Sequence, residues 1–482
     1  MIKVPIPENL DIDKLLSSYS YDFIRPFKKD HLVYIISLLN TIRSVENSEG
    51  KPIGKFPINS TILQSIVKNH NQYLTFLKAA KVFQSDNWHI KEANKSRYYW
   101  FTPKYRTICK FYEITDFTTK KNITTKLYKI PPGLKLKEYN HLSKWFKKKN
   151  NKLFLNSDLA KDFIKRDYLY KVHSSEVEGE SSNKILFSYI LQYNSAMYSI
   201  QKIQDCQFYF TIDTTSFRLH TPLTQIRSIL RNCISYNSTQ LISIDIKNCQ
   251  PYLSIILFNP SFWDISINNN HSYYIKGSLT LNDISKKLYL KYTNKIKLLD
   301  IPSINLDETV ESQSYTGFHA YLEFIQMDDP YSHFQDLMNY VSPHKKDYTR
   351  PDIKSEIIVV FYSKNKTYTF TKKVFRAAFP GVLKFLSLLK KEDHADLAIL
   401  LQTIESHLIL KVITKKIAKV NPNIPLYTIH DSIVTTKENE DIVKHIMHSE
   451  LEKAIGIPPK LKVEDWLPSN LEFSTGEKFL QP

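Results

Sequence analysis

The stretch LISIDIKNCQPYLSIIL, residues 241–257, decides how this chain is read. Leu241–Ile246 is apolar and β-branched, the composition of a buried strand, and its end carries a carboxylate, Asp245. A carboxylate there is costly unless a cation or hydrogen-bond donors meet it. A second apolar run, IPLYTIHDSIVTTKENED (424–441), breaks at His430-Asp431 and resumes at Ile433. It predicts two short strands within Leu426–Thr435 and a tight turn that presents Asp431 at its tip. Two carboxylates brought together repel unless metal neutralises them. Mg²⁺ suits one or two carboxylates, several waters and substrate phosphates. Two such ions, ~3.5–4 Å apart, activate an attacking oxygen and stabilise a leaving one.

A third segment, TRPDIKSEIIVVFYSKN (349–365), is compatible with either helix or strand by propensity. As a helix it sets Arg350, Lys354, Ile358, Phe361 and Tyr362 near one face, at spacings of three and four. Two cations on one stripe suit a triphosphate, and the aromatic beyond them can stack on a base. Each feature has a plainer reading: an RxxxK pair is commonly a solvated face, and a lone buried Asp commonly caps a helix or pairs with a cation. Their order along the chain is more specific than any of them singly.

Composition narrows the partners. The chain has 482 residues and a net charge of +18, with a pI of about 9.3. That surplus points to a polyanion, nucleic acid before membrane. No uninterrupted apolar run approaches ~18 residues, so a non-membrane protein is expected. Met1–Leu10 carries prolines and acids where a signal peptide needs an apolar stretch. Glycine is scarce, at 9 residues, and neither GxGxxG nor GxxxxGK[ST] occurs, which argues against Rossmann and P-loop chemistry. Cys109, Cys206, Cys233 and Cys249 lack CxxC spacing. They read as thiols in a reducing, cytoplasmic compartment, not as a zinc site.

Several subdomains are expected from the length. Residues 1–115 carry helical spacing at Asp30–Arg43, Thr61–Asn69 and Asn71–Val82, then β-like runs at Trp88–Ile90 and Arg97–Thr102 with Lys91 and Lys95 between them. Helices followed by a basic hairpin predict a winged-helix-like module. Residues 116–200 form a basic helical region, where LKLKEYNHLSKWFKKKNNK (134–152) interleaves lysines with aromatics and suits a phosphate backbone. Ser174–Asn183 reads as a polar linker. From about residue 184 the pattern is mixed, with strands at Gln207–Ile212 and Leu241–Ile246 and a long helix over Asp396–Ala418.

The three segments, in this order, resemble motifs A, B and C of the family A DNA polymerases and of the single-subunit RNA polymerases of phages and mitochondria. Arg350, Lys354 and Tyr362 have the spacing of motif B, and TIHDS is similar to the His-Asp of motif C. TTSFRLHTPLTQI (214–226) resembles an upstream stretch that places Arg218 on nucleic acid. AILLQTIESHLI (398–409) resembles the helix whose Gln, here Gln402, lies on the template side. The resemblance spans roughly residues 205–440. Motif B departs at Tyr362-Ser363, where the family has Tyr-Gly, and at Ile358, where DNA polymerases have an aromatic. Motif C departs at Ser432, where they have Glu.

The resemblance implies an α+β right-hand polymerase with an antiparallel palm sheet. The palm would comprise 201–300 and 396–482, the fingers 301–395 and a thumb-like region 116–200. It implies that Asp245, Asp431 and the Ile246 carbonyl hold two Mg²⁺ ions, with Mn²⁺ as an alternative. Arg350 and Lys354 would grip the β and γ phosphates, Tyr362 and Ile358 would line the nucleotide, and His430 would position the primer 3′ end. Arg218 and Gln402 would hold the duplex. Gln250 aligns in two ways: ungapped, with the Glu that excludes a 2′-OH in DNA polymerases; gapped, with the Gln-His-Phe of RNA polymerases. The expected partners are a DNA template or primer–template and dNTPs or NTPs, with the balance slightly toward DNA synthesis, and the expected state is a monomer. An RNA polymerase or primase is the alternative. A nucleic-acid-binding protein with a non-catalytic polymerase-like core is the second.

Overall fold

The computed structural model describes the chain apart from residues 43–53, 87–95, 128–135, 148–149, 178–181, 264–276, 286–287, 289–291, 293–316, 343–346, 474–477 and 480–482. The N-terminal elements run β1 (Lys3–Pro7), α1 (Lys29–Thr41), β2 (Phe56–Ile58), α2 (Ser60–Gln64), α3 (His70–Ala79), β3 (Phe83–Ser85), β4 (Arg97–Phe101) and β5 (Cys109–Glu113). β1 and β5 pair antiparallel, while β2, β4 and β3 form a three-stranded antiparallel sheet in that spatial order. The apolar faces of α1 and α3 meet this sheet in a separate core that includes Val33, Ile36, Tyr73, Leu77, Phe83 and Phe101. Asp30, buried in the first turn of α1, accepts from the backbone N–H groups of Thr115 and Asp116, which satisfies its charge.

Three expectations shift here. The helix expected over Thr61–Asn69 is shorter, Ser60–Gln64 capped by Asn59, and the one expected over Asn71–Val82 runs His70–Ala79. β4 takes β2 and β3 as its partners, while Trp88–Ile90, Lys91 and Lys95 lie outside the described residues. The interleaved aromatics of 134–152 do not face solvent: Tyr139, Trp145 and Phe146 are buried in the main core, and Lys144 between them lies over the Trp145 ring and donates to the Pro422 carbonyl.

β6 (Leu153–Leu155) leads into α4 (Ser157–Val177) and α5 (Asn183–Gln204), which pack on one another. Of the linker expected at Ser174–Asn183, Ser174–Val177 belong to α4 and Ser182 caps α5, while residues 178–181 lie outside the described residues. Only Thr211–Ile212 of the strand expected at Gln207–Ile212 is paired, as β7 against β8 (Leu219–His220). Phe208 and Phe210 are held by ring contacts with Phe146 rather than by a neighbouring strand.

β9 (Ile234–Tyr236) and β10 (Thr239–Ile246) follow, then helices α6 (Pro330–Val341), α7 (Arg350–Tyr362) and α8 (Ala395–His407), then β11 (Tyr427–Ile429), β12 (Ser432–Thr436) and β13 (Leu461–Asp465). The principal sheet is antiparallel, in the order β11-β12-β10-β9-β6, and β13 also pairs with β10. The molecule is thus a mixed helix-and-sheet protein with antiparallel sheets. Helix α8 continues through a π-helical segment, Leu408–Ile413, into Thr414–Val420. As a 26-residue span it is long and apolar enough to cross a membrane by length and composition, which counting uninterrupted apolar runs did not reveal; 67% of its most apolar window is buried inside the protein.

Candidate active site

The strand register builds the site. Asp245 of β10 lies opposite Ser432 of β12. Ile429 pairs with Ser432 across the β11–β12 hairpin, leaving His430 and Asp431 as its two turn residues. His430 takes a left-handed conformation, φ 55°, as mirror-type two-residue turns require. The Ser432 hydroxyl donates to Asp245 Oδ1 at 2.5 Å. Asp431, one residue earlier, is thereby held beside Asp245.

Both carboxyls are pushed above the ordinary range. For Asp245 the cause is desolvation, with Glu464 adding to it and the Ser432 hydroxyl, Lys354 and Lys462 opposing it. For Asp431 it is desolvation and then the charges of Asp245 and Glu405; the Cys249 thiol, which donates to Asp431, offsets part of this. The pair thus resists ionising both carboxyls at once, although Lys354 and Lys462 offset part of the cost at Asp245.

Helix α7 supplies the facing wall. Thr349 and Asp352 form a reciprocal capping box, and Pro351 sits in the first turn, which settles the segment as helix rather than strand. A cavity of about 180 Å³ opens between this helix and the strand ends. Among its lining residues are Asp245, Ile246, Gln250, Lys354, Ile358, Tyr362 and Asp431, seven of the residues singled out in the sequence. Lys354 and Ile358 are exposed on that face and Tyr362 is half-buried. The helix end lacks a glycine cap. Instead Lys390, 2% exposed, donates to the carbonyls of Val360 at 2.9 Å and Ser363 at 3.3 Å, and Lys372 donates to that of Lys364 at 3.0 Å.

Four expected site residues sit apart from the cavity lining. Arg350 is exposed at the start of α7; its Nε donates to Asp329 Oδ2 at 2.7 Å, and its guanidinium lies 5.7 Å from the Tyr331 ring centroid. His430 stands exposed at the hairpin tip. Its ring is pushed down to about 4 by desolvation and by Arg218, His220 and Arg231, so it is neutral at pH 7. Arg218 makes a bidentate pair with Glu405, Nε to Oε1 at 3.0 Å and Nη2 to Oε2 at 2.7 Å. Gln402 is half-buried on α8, one turn before Glu405.

Glu405 is the residue that sequence reasoning missed. It is 2% exposed, and Gln250 Nε2 donates to its Oε2 at 2.6 Å. Gln250 Oε1 in turn accepts from the Tyr362 hydroxyl at 2.6 Å. A chain of hydrogen bonds, Arg218–Glu405–Gln250–Tyr362, therefore ties β8, α8, the segment after β10 and α7 together. Burial pushes the Glu405 carboxyl up, and Arg218 opposes that shift. A lone acid inside the apolar helix AILLQTIESHLI was the available signal.

Among the described residues no group of three or more His, Cys, Asp or Glu side chains converges as a metal site. A pair of mutually repelling carboxylates beside the Ile246 backbone still matches what Mg²⁺ asks of a protein when phosphates and water complete its shell.

No protein-family model matches the chain, and no curated protein matches it. Among solved structures the chain is similar to the POL domain of Pol1 from M. smegmatis, in complex with DNA primer-template and dNTP, at 10% sequence identity and a TM-score of 0.31. The match covers 62% of this chain and 56% of that one. The chain thus matches little more than half of that domain, and a TM-score this low does not establish a common fold.

Proposed function

We propose that this chain is a template-directed nucleic-acid polymerase that extends a 3′-OH by two-metal nucleotidyl transfer, with DNA synthesis slightly favoured. The observation that carries the proposal is the register of Asp245 against Ser432, which sets Asp431 beside Asp245 and both across a cavity from Lys354 and Tyr362. Two Mg²⁺ ions, or Mn²⁺ in their place, supply charge neutralisation and a template for in-line displacement when bound. Asp245, Asp431 and the Ile246 carbonyl hold them.

Lys354 offers its ammonium to the phosphates from the exposed face of α7. Arg350 joins it by leaving Asp329. That exchange costs little, since an exposed ion pair contributes only ~0–1 kcal/mol. Tyr362 and Ile358 contact the nucleotide, and Gln250 stands between them and Glu405, where a sugar is sensed. His430, neutral at pH 7, accepts or donates a hydrogen bond at the primer terminus. Arg218 and Gln402 hold the duplex, Arg218 with its orientation set by Glu405. The palm comprises the principal sheet, the fingers include α7, and 116–200 is thumb-like. The order helix–strand–helix–helix–strand–strand in residues 29–101 supports a winged-helix-like module.

A single-subunit RNA polymerase or primase is the second reading, favoured by Ser432 after the His-Asp pair. Supplying dNTPs and NTPs separately, with and without a primer, decides between them. Extension of a primer by dNTPs alone supports DNA synthesis; unprimed incorporation of NTPs supports the second reading. Salt-sensitive nucleic-acid binding without incorporation of either substrate would sink both.

A further inference from the structure

We propose that a second, cationic cleft, between the last turn of α1 and helix α5, takes the phosphodiester backbone of a single nucleic-acid strand. Its volume is about 660 Å³, within the ~300–1,000 Å³ of pockets that accept small-molecule-sized groups. Lys202 and Arg227 line it, with Tyr198, Ser195, Ser199 and Gln225 supplying hydroxyls and an amide, and no carboxylate is among its lining residues.

Lys202 is the residue that calls for a ligand. Its ammonium lies 4.2 Å from the Tyr198 ring centroid and 5.7 Å from that of Tyr209. Among the described residues no carboxylate pairs with it. Burial pushes it down to about 8. A desolvated ammonium without a counter-ion lowers stability, and an anion entering the cleft would recover that loss. Arg227 adds to the excess. Its partner Asp167, at 3.2 Å, is shared with Lys171 at 3.0 Å, so one buried carboxylate serves two cations.

The ligand class follows from charge and shape. The chain as a whole is polybasic. A groove pairing cations with an aromatic and neutral hydrogen-bonding groups is how proteins hold single strands without reading their sequence. Residues 218–227 also join this cleft to the candidate active site, from Arg218 on Glu405 to Arg227. The inference does not need the polymerase proposal, because binding is measured without nucleotide and without turnover.

The test titrates a labelled oligo-dT strand, and separately its matching duplex, with the full chain and with its Lys202→Gln and Lys202→Arg variants at several salt concentrations, and melts each protein. Lys202→Gln should bind roughly three- to tenfold more weakly, with a salt slope shallower by ~0.7, the value of one single-strand phosphate contact. Its melting temperature should equal or exceed that of the parent, and Lys202→Arg should retain binding. Unchanged affinity and slope in Lys202→Gln would overturn the proposal. So would equal losses in Lys202→Gln and Lys202→Arg, or a lower melting temperature in Lys202→Gln, which marks a structural lysine. A larger loss for the matching duplex than for the strand would overturn the single-strand assignment.

Discussion

Asp245 and Ser432 face each other across β10 and β12, and the serine hydroxyl donates to the carboxylate. That contact joins strands 187 residues apart in sequence and brings Asp431 to the side of Asp245. A serine here brings no charge of its own, so desolvation raises both carboxyls and the charge of Asp245 raises Asp431 further.

This gives a pH dependence. A carboxyl whose folded pKa lies above its unfolded value binds its proton more tightly when folded. Metal-free stability should therefore fall as pH rises from the ordinary carboxylate range, ~4, toward the raised folded value. Urea denaturation of the metal-free chain at a series of pH values checks this. Asp431→Asn should flatten the fall, and Mg²⁺ should recover more stability at the higher pH values than at the lower ones.

Glu405 should be structural and functional at once. Glu405→Ala leaves the Arg218 guanidinium without its partner and Gln250 without an acceptor, which should cost about 2 kcal/mol or more. Glu405→Gln keeps the shape and one acceptor, so it should cost less. If the network also sets the sugar site, both variants should change the ratio of dNTP to NTP incorporation. Chemical denaturation and paired incorporation assays read the two effects separately.

Arg350 and Lys354 should differ in kind from Glu405. Both are exposed, and the Arg350–Asp329 pair is at the surface, so Arg350→Ala and Lys354→Ala should alter stability by less than ~1 kcal/mol. Loss of a phosphate-binding cation should raise KM for the nucleotide about tenfold or more. Asp329→Asn should leave Arg350 free and lower KM or leave it unchanged.

Lys390 closes the end of α7, which has Ser363 rather than a glycine after Tyr362. Lys390→Met removes the donor from the Val360 and Ser363 carbonyls, and buried acceptors left unpaired cost about 1–3 kcal/mol each. The melting temperature should drop accordingly, and KM for the nucleotide should rise as Tyr362 loses its fixed position. A variant as stable as the parent would show that water or another donor replaces the ammonium.

Much of the site was legible because its signals are local. The β-branched run ending at Asp245 and the break at His430-Asp431 each specify an element within a few residues, whereas 349–365 stayed open between helix and strand until the Thr349–Asp352 capping box settled it. What was not legible depends on long-range contact. Arg218 and Glu405 lie 187 residues apart, and nothing near either names the other. Asp329 lies 21 residues before Arg350, at the N-cap of another helix, α6. Likewise the lysines of 134–152 were visible as charge, but which side of that chain Trp145 and Phe146 face is decided by a core built from distant strands and helices.

In the proposed reaction Asp245 and Asp431 act together on an incoming nucleotide. Primer extension with Mg²⁺ by the parent, Asp245→Asn, Asp431→Asn and the double variant, each shown folded by its melting curve, tests it most directly. Each single variant should lose activity by about 10³-fold or more, as removal of several kcal/mol of transition-state stabilisation requires, and the double variant should be scarcely worse than either single one. Extension by both folded single variants at near the parental rate would contradict it.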